Sequence, residues 1–162
     1  MVIIDMKKET KGSLAGQLVQ LICLGKLLMN GKFASDKRLA FVIIDNAVEI
    51  ALKSYAARHN LIKISKPNTK TISLILNKLK DQNKIVSYEK RTILKYRAMA
   101  KELYNEQKVS QLNDKTIEDY LILARIILAK LYDFRASKSE WQNLVNKTAK
   151  SLYVHLAGHS IR

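Results

Sequence analysis

The chain contains few residues that would interrupt or cross-link it, since its 162 residues include one cysteine, one proline and five glycines. A single cysteine excludes an intramolecular disulfide, and we expect a reducing compartment. So little proline and glycine argues against an all-β fold, which needs many turns, and favours long helices. No run reaches the ~18 apolar residues that span a bilayer, and the charged start does not resemble a secretory signal. We expect a soluble, cytoplasmic protein with no membrane partner.

The sequence also lacks the common catalytic and metal-binding motifs. It has no G-x-x-x-x-G-K or G-x-G-x-x-G nucleotide loop and no G-x-S-x-G elbow. Cys23 lies among apolar residues, which predicts a buried thiol rather than a nucleophile. His155 and His159 are four residues apart, but Gly158 separates them and no acidic residue is near. We therefore expect no metal site and no cofactor.

Positive charge is the most unusual property of the sequence. Lysine and arginine total 29 against 14 acidic residues, a net charge of +15. Residues 58–108 alone carry 13 basic and 4 acidic side chains, a net of +9. Such a concentration indicates a polyanionic partner, of which nucleic acid is the first candidate. The alternative is a generally lysine-rich composition, because lysine outnumbers arginine 22 to 7.

Hydrophobic periodicity predicts an all-α fold, an antiparallel bundle of five to six helices in a single domain. The predicted helices are 14–29, 36–59, 69–82, 87–106, 117–133 and 138–157. The predicted N-terminal caps are Ser13, Ser35, Thr116 with Asp119, and Ser137 with Glu140. In the second helix, two apolar stripes cover most of the surface, which predicts a central helix whose apolar residues are buried by neighbours on several sides. The first comprises Leu39, Val42, Ile43, Ile50 and Ala57, and the second Phe41, Ile44, Val48, Leu52 and Tyr55.

The fourth predicted helix carries the candidate nucleic-acid-binding residues. These are Lys90, Arg91, Lys95, Arg97, Lys101, Tyr104 and Lys108. Helical spacing places several of the cations on one face, which predicts contacts to the phosphate backbone and little sequence specificity. Tyr104 is either a base-stacking or a packed residue. Asp45 and Glu49 are spaced as a carboxylate pair, but Glu49 and Lys53 also have the spacing of an ordinary helical ion pair.

Three stretches resemble HEPN domains (higher eukaryotes and prokaryotes nucleotide-binding). They are 38–55, RLAFVIIDNAVEIALKSY; 96–105, YRAMAKELYN; and 116–134, TIEDYLILARIILAKLYDF. The resemblance covers residues 14–134 and leaves 135–162 as an additional C-terminal helix. It implies a helical bundle that forms a homodimer. In many members an arginine and a histidine, separated by four to six intervening residues, form a metal-independent ribonuclease site.

The chain departs from that signature. Aligning Leu103 and Tyr104 with the family's "LY" puts Ala100 at the arginine position and Asn105 at the histidine position. Asparagine cannot transfer a proton near neutral pH, and alanine cannot pair with a phosphate. The sequence therefore predicts a non-catalytic domain that binds RNA or DNA.

Two alternatives stay open at this stage. One is a HEPN-type endoribonuclease or toxin whose site is altered or engineered. The other is a helical protein-interaction partner in a toxin–antitoxin or nucleotidyltransferase-like complex.

Overall fold

The computed structural model describes residues 13–62, 71–104 and 112–159, with side chains as far as Val154. Within these ranges the chain is all-helical, with six helices and no strand. The helices are α1 (Leu14–Met29), α2 (Ala34–Arg58), α3 (Thr71–Asp81), α4 (Ser87–Tyr104), α5 (Asp114–Tyr132) and α6 (Lys138–His159). The all-α prediction is confirmed. None of the described helices is both long enough and apolar enough to cross a lipid bilayer.

The predicted α1 is confirmed at both ends. The hydroxyl of Ser13 accepts a hydrogen bond of 3.1 Å from the Gly16 amide, which satisfies one of the free donors of the first turn. Gly25 lies where α1 meets α2, close to the fully buried Ile44. The absence of a side chain at Gly25 therefore allows the two helices to approach closely.

Both apolar stripes of α2 were predicted to be buried, and the structure confirms only the second. Leu39 and Ile50 are 49% and 39% exposed, and the second stripe is the buried one. Its buried residues are Phe41, Ile44, Val48, Leu52 and Tyr55. The physical reason is visible in the sequence, because the exposed Asn46 interrupts the first stripe between Ile43 and Ile50. The buried stripe keeps steps of three or four residues throughout.

Two of the predicted helix starts also differ. The α2 helix is capped at Phe33 instead of Ser35, and Asp36 accepts a 3.2 Å bond from the Phe33 amide. The α5 helix is capped by Asn113, whose side chain accepts a 2.8 Å bond from the Thr116 amide. Asparagine competes well with threonine for this position, so the helix begins three residues before Ile117.

The amphipathic patterns predicted for α3, α4 and α5 are confirmed, whereas in α6 Trp141 and Val145 are buried but Leu152, predicted on the same side, is 40% exposed. Predicted inward residues of α3, α4 and α5 are buried: Ile72, Ile75, Leu76, Leu79, Ile93, Tyr96, Ala100, Leu103, Tyr120, Leu121, Ala124, Ile127, Leu128 and Leu131. The α6 capping box also forms. The Ser137 amide donates to Glu140 at 2.6 Å, and the Glu140 amide donates to the Ser137 hydroxyl at 3.3 Å.

Helix α2 is the centre of the fold and contacts α1, α3, α4 and α5, whereas α6 packs on α1. Three aromatic rings join α2, α4 and α5 in the core. The Phe41 ring lies 5.8 Å from that of Tyr96 and 5.2 Å from that of Tyr120, and the two tyrosine rings are 4.7 Å apart. These packed rings fix the orientation of α4 and so determine which of its side chains face solvent.

Candidate nucleic-acid interface

The seven residues predicted to bind nucleic acid differ in their exposure in the structure. Four are exposed: Arg91, Lys95, Lys101 and Tyr104. Lys90 is half-buried and donates a hydrogen bond to Asn77 of α3, and Arg97 is buried. Lys108 lies outside the described residues.

Arg97 points into the protein instead of lying on the surface, which corrects the sequence-based assignment. Its Nη1 lies 3.3 Å from both carboxylate oxygens of Asp45, and its Nη2 lies 2.6 Å from Oε2 of Glu49. The guanidinium charge is therefore neutralised by two carboxylates of α2. A buried arginine whose charge is neutralised by two carboxylates is not placed to contact a phosphate at the surface.

Two further residues complete this buried network. The hydroxyl of Tyr120 in α5 donates a 2.7 Å hydrogen bond to Oδ1 of Asp45. The predicted helical ion pair between Glu49 and Lys53 is present. The network therefore ties α2, α4 and α5 together by charge as well as by the aromatic cluster.

Burial sets the protonation behaviour of the network. Burial raises the pKa of Asp45, and the hydrogen bond from Tyr120 and the charge of Arg97 only partly offset this effect. Burial next to Asp45 also raises the pKa of Tyr120 well above its ordinary value. Burial alone would raise the pKa of Glu49, but hydrogen bonds from Lys53 and Arg97 outweigh it and lower that pKa. Asp45 and Glu49 each face two donors, so the deeper burial of Asp45 accounts for the opposite directions of their shifts.

A signal for the inward position of Arg97 exists in the sequence. Arg97 lies four residues after Ile93 and three before Ala100, and both belong to the buried stripe of α4. Residues at these spacings share one helix face. The α4 stripe and the two acids of α2 together indicate a buried pair.

The remaining α4 cations do not form one continuous row. At about 100° per residue, Arg91 and Lys95 are about 40° apart on the outer side of the helix. Lys101 lies about 80° from Arg91 and about 120° from Lys95, on the flank of the helix. Arg91 and Lys95 are thus a pair on one exposed face, and Lys101 stands apart from them.

Helices α3 and α4 together form a strongly positive hairpin. Residues 71–104 hold eight basic and three acidic side chains, a net of +5. Arg97 is neutralised inside the protein, and Glu89 is buried against Lys130. The seven other basic residues, which we name the hairpin cations, are Lys78, Lys80, Lys84, Lys90, Arg91, Lys95 and Lys101.

Within the described ranges, none of the hairpin cations forms an ion pair with a carboxylate. The ion pairs that are present there use cations from other parts of the chain or the buried Arg97. Lys26 pairs with Glu118, for example, and Lys37 pairs with Asp114. Only two exposed carboxylates, Asp81 and Glu102, lie in the hairpin itself. The α3–α4 surface therefore keeps most of its positive charge, because the seven hairpin cations face only these two exposed carboxylates within the hairpin.

Four exposed residues of this surface were not assigned from the sequence. Lys78 and Lys80 lie on α3, and Lys84 lies in the turn that follows. Tyr88 lies in the first turn of α4 and is exposed to solvent. The three lysines belong to the basic window 58–108, so their charge was counted but their position was not. Tyr88 was missed because periodicity does not distinguish a surface tyrosine from a packed one.

The two positions aligned with the ribonuclease signature have different outcomes. Ala100 is fully buried in the core, so an arginine there would project among apolar side chains and not into solvent. Asn105 lies outside the described residues. In the alignment used above, the arginine position therefore offers no surface on which a phosphate could bind.

No group of three or more histidine, cysteine, aspartate or glutamate side chains in the described ranges is placed to hold a metal ion. The chain was compared with protein-family models, with curated proteins and with solved structures, and none of them matches it.

Proposed function

We propose that this protein is a non-catalytic nucleic-acid-binding domain whose α3–α4 hairpin contacts the sugar-phosphate backbone. One observation carries the proposal: the hairpin cations lie together in the chain at the surface and have no described carboxylate partner. Cations of this kind gain free energy by displacing the counterions condensed on a polyanion. Cations already paired with carboxylates gain much less.

Two further features support the same function. Six of the seven hairpin cations are lysines, which act as flexible point charges and suit contacts to phosphates in any sequence. The resemblance of residues 38–55, 96–105 and 116–134 to HEPN domains supports a nucleotide-related role on a HEPN-like bundle. The buried position of Ala100 favours binding without that family's cleavage chemistry.

The test is a fluorescence anisotropy titration of labelled 20-nucleotide RNA and DNA across a series of KCl concentrations. We expect affinity to fall steeply as salt rises, with a log–log slope of about −0.7 for each phosphate contact to a single strand. The variant Arg91→Glu/Lys95→Glu reverses the exposed pair on α4. It should weaken binding at low salt and reduce the magnitude of the slope by about 1.4, for two lost contacts.

The matched control is Lys147→Glu/Lys150→Glu, which reverses two exposed lysines on α6. Both double variants lower the net charge by the same amount, so they differ only in where the charge is removed. We expect the α6 variant to bind within about twofold of the unmodified protein at 100 mM KCl. Equal losses in both variants would show that net charge alone drives binding, and an affinity independent of salt would refute the proposal.

A further inference from the structure

We infer that the outer face of α4 selects single-stranded nucleic acid, with the ring of Tyr88 stacking on an unpaired base while Arg91 and Lys95 hold the adjoining phosphates. This inference rests on the proposed function. It goes further by naming the strand state of the ligand and an aromatic contact.

The first observation is the exposure of the Tyr88 ring. Tyr88 is 67% exposed, and its ring contacts no other aromatic ring in the described part of the chain. Four other tyrosines each pack against at least one aromatic ring: Tyr55, Tyr96, Tyr120 and Tyr132. Tyr88 thus leaves a large π-face in solvent, at the edge of a positive surface.

The second observation is the spacing of Tyr88 relative to the exposed cations. Tyr88, Arg91 and Lys95 are at positions i, i+3 and i+7 of one helix, and all three are exposed. At 1.5 Å per residue, Tyr88 and Lys95 are separated by about 10 Å along the axis and lie within an arc of about 60° with Arg91. This spacing corresponds to one or two nucleotides of an extended strand. We name these three residues the outer stripe.

The backbone beneath the ring is held in place. The Val86 amide donates a 2.8 Å hydrogen bond to Oε2 of Glu89, and Glu89 is fixed in turn by Lys130 of α5. The hydroxyl of Thr92 donates to the Tyr88 carbonyl at 2.9 Å. These hydrogen bonds hold the first turn of α4 on both sides of Tyr88. When a base stacks on the ring, only the Tyr88 side chain has to become ordered, which lowers the entropic cost of binding.

The accessibility of the base faces distinguishes a single-stranded from a double-stranded ligand. In a duplex both faces of each base are covered by neighbouring bases, so an exposed tyrosine gains nothing beyond contact with the backbone. In a single strand every base can offer a face, and stacking on an aromatic side chain is tolerant of sequence. An outer stripe of one ring and two cations suits that ligand.

Glu102 lies seven residues after Lys95 on the same side of α4. Its negative carboxylate marks the end of the positively charged outer stripe.

Tyr104, which the sequence left as either a base-stacking or a packed residue, is less suitable for stacking. It is 59% exposed, but it lies about 160° around the helix from Tyr88. Among the described residues, only Lys101 is a helical neighbour of Tyr104 with positive charge. Tyr88 has two such neighbours, Arg91 and Lys95.

The experiment compares Tyr88→Leu with the matched control Tyr153→Leu, which removes the 76% exposed ring of α6. The probes are 20-nucleotide single-stranded RNA and DNA, the corresponding duplexes, and an abasic 20-nucleotide strand, all at 100 mM KCl. The unmodified protein should prefer both single strands to their duplexes and to the abasic strand. Tyr88→Leu should lose about fivefold or more on single strands. It should keep its affinity for duplexes and for the abasic strand.

The outcomes separate the inference from the proposed function. Tyr153→Leu should bind every probe as the unmodified protein does, and Tyr88→Phe should retain the single-strand preference because the ring is intact. If Tyr88→Leu binds single strands normally while Arg91→Glu/Lys95→Glu is impaired, the stacking inference is overturned and the backbone-binding function stands. A loss in Tyr104→Leu without one in Tyr88→Leu would also overturn it. Failure of the unmodified protein to bind any probe would overturn the proposed function as well.

Discussion

Arg97 of α4 and Asp45 of α2 are 52 residues apart in the chain, yet Nη1 of the arginine lies 3.3 Å from each carboxylate oxygen of the aspartate. Both side chains are buried, and Glu49 and Tyr120 complete the surrounding hydrogen bonds. The pair therefore joins two helices inside the protein. It also removes from the surface the arginine that sequence periodicity assigns to phosphate binding.

Arg97→Leu should lower the free energy of unfolding by about 3–5 kcal/mol, because it leaves the buried Asp45 and the half-buried Glu49 without their counter-charge. The control Arg91→Leu changes an exposed side chain of the same helix and should stay within about 0.5 kcal/mol. Urea denaturation followed by the fluorescence of Trp141 measures both. Equal, small effects of the two substitutions would show that the Arg97 network contributes little to stability.

Asp45 and Glu49 should give opposite pH dependence. Burial raises the pKa of Asp45, so the folded state binds its proton more tightly than the unfolded state, and this contribution to stability grows as pH falls. Hydrogen bonds from Lys53 and Arg97 overcome burial and lower the pKa of Glu49, so its stabilising contribution is present at neutral pH and lost in acid.

Urea denaturation between about pH 7 and pH 3.5 tests this pair of signs. The stability difference between the unmodified protein and Glu49→Gln should shrink as pH falls. Over the same fall in pH, the unmodified protein should gain stability relative to Asp45→Asn. If both differences moved in the same direction, the assignment of opposite shifts would be wrong.

The sequence was sufficient where a helix has one unambiguous apolar face. The bounds of α1 and the inward residues of α3, α4 and α5 follow from 3.6-residue periodicity, and the structure confirms them. Periodicity predicted both apolar stripes of α2 to be buried, because apolar residues surround most of that helix. Asn46 interrupts the first stripe, and contact with four neighbouring helices buries the second.

The candidate site was predicted less completely than the fold, because the direction of a side chain also depends on tertiary contacts. The net charge of the window 58–108 located the basic surface, since charge adds up regardless of side-chain direction. The direction of Arg97 depends on two carboxylates 48 and 52 residues away in the chain. No local pattern on α4 carries that information by itself. The exposed ring of Tyr88 is likewise a property of tertiary packing, which leaves this tyrosine without the ring neighbours that four of the other six tyrosines have.

Ala100→Arg, which would restore the arginine of the aligned ribonuclease signature, should unfold or strongly destabilise the protein. Ala100 is fully buried, and burying an unpaired charge in an apolar core is among the few changes that cost more than about 4 kcal/mol. Ala98→Arg is the matched control, because Ala98 is exposed on the same helix. Thermal denaturation by circular dichroism compares the two. A folded, stable Ala100→Arg protein would contradict the core position of this residue.

Cys23 should react slowly with thiol reagents in the folded protein. Burial raises its pKa to about 11, only partly opposed by a hydrogen bond with Thr148 of α6, so little thiolate forms near neutral pH. Labelling with 5,5′-dithiobis-(2-nitrobenzoic acid) at pH 8 should proceed only through opening of the α1–α6 contact. Unfolding in urea should accelerate it by orders of magnitude. Rapid labelling without denaturant would show that this contact is not maintained in solution.

Gly25→Ala should destabilise the protein even though alanine is the better helix former. A β-carbon at position 25 would lie 2.7 Å from Cγ1 and 3.2 Å from Cδ1 of Ile44, which is fully buried and unable to move freely. Overpacking of this kind costs about 1–3 kcal/mol, whereas the gain in helix propensity is about 1 kcal/mol. We expect a net loss of up to about 2 kcal/mol in urea denaturation.

A double-mutant cycle with Ile44→Ala separates the clash from other effects of the alanine. Ile44→Ala alone should cost about 2–5 kcal/mol through the cavity it creates between α1 and α2. In that background the added methyl group at position 25 meets empty space, so Gly25→Ala should become neutral or stabilising. The sign of the Gly25→Ala effect should therefore depend on residue 44. If alanine at position 25 destabilised both backgrounds equally, the close approach of α1 and α2 at Ile44 would not be its cause.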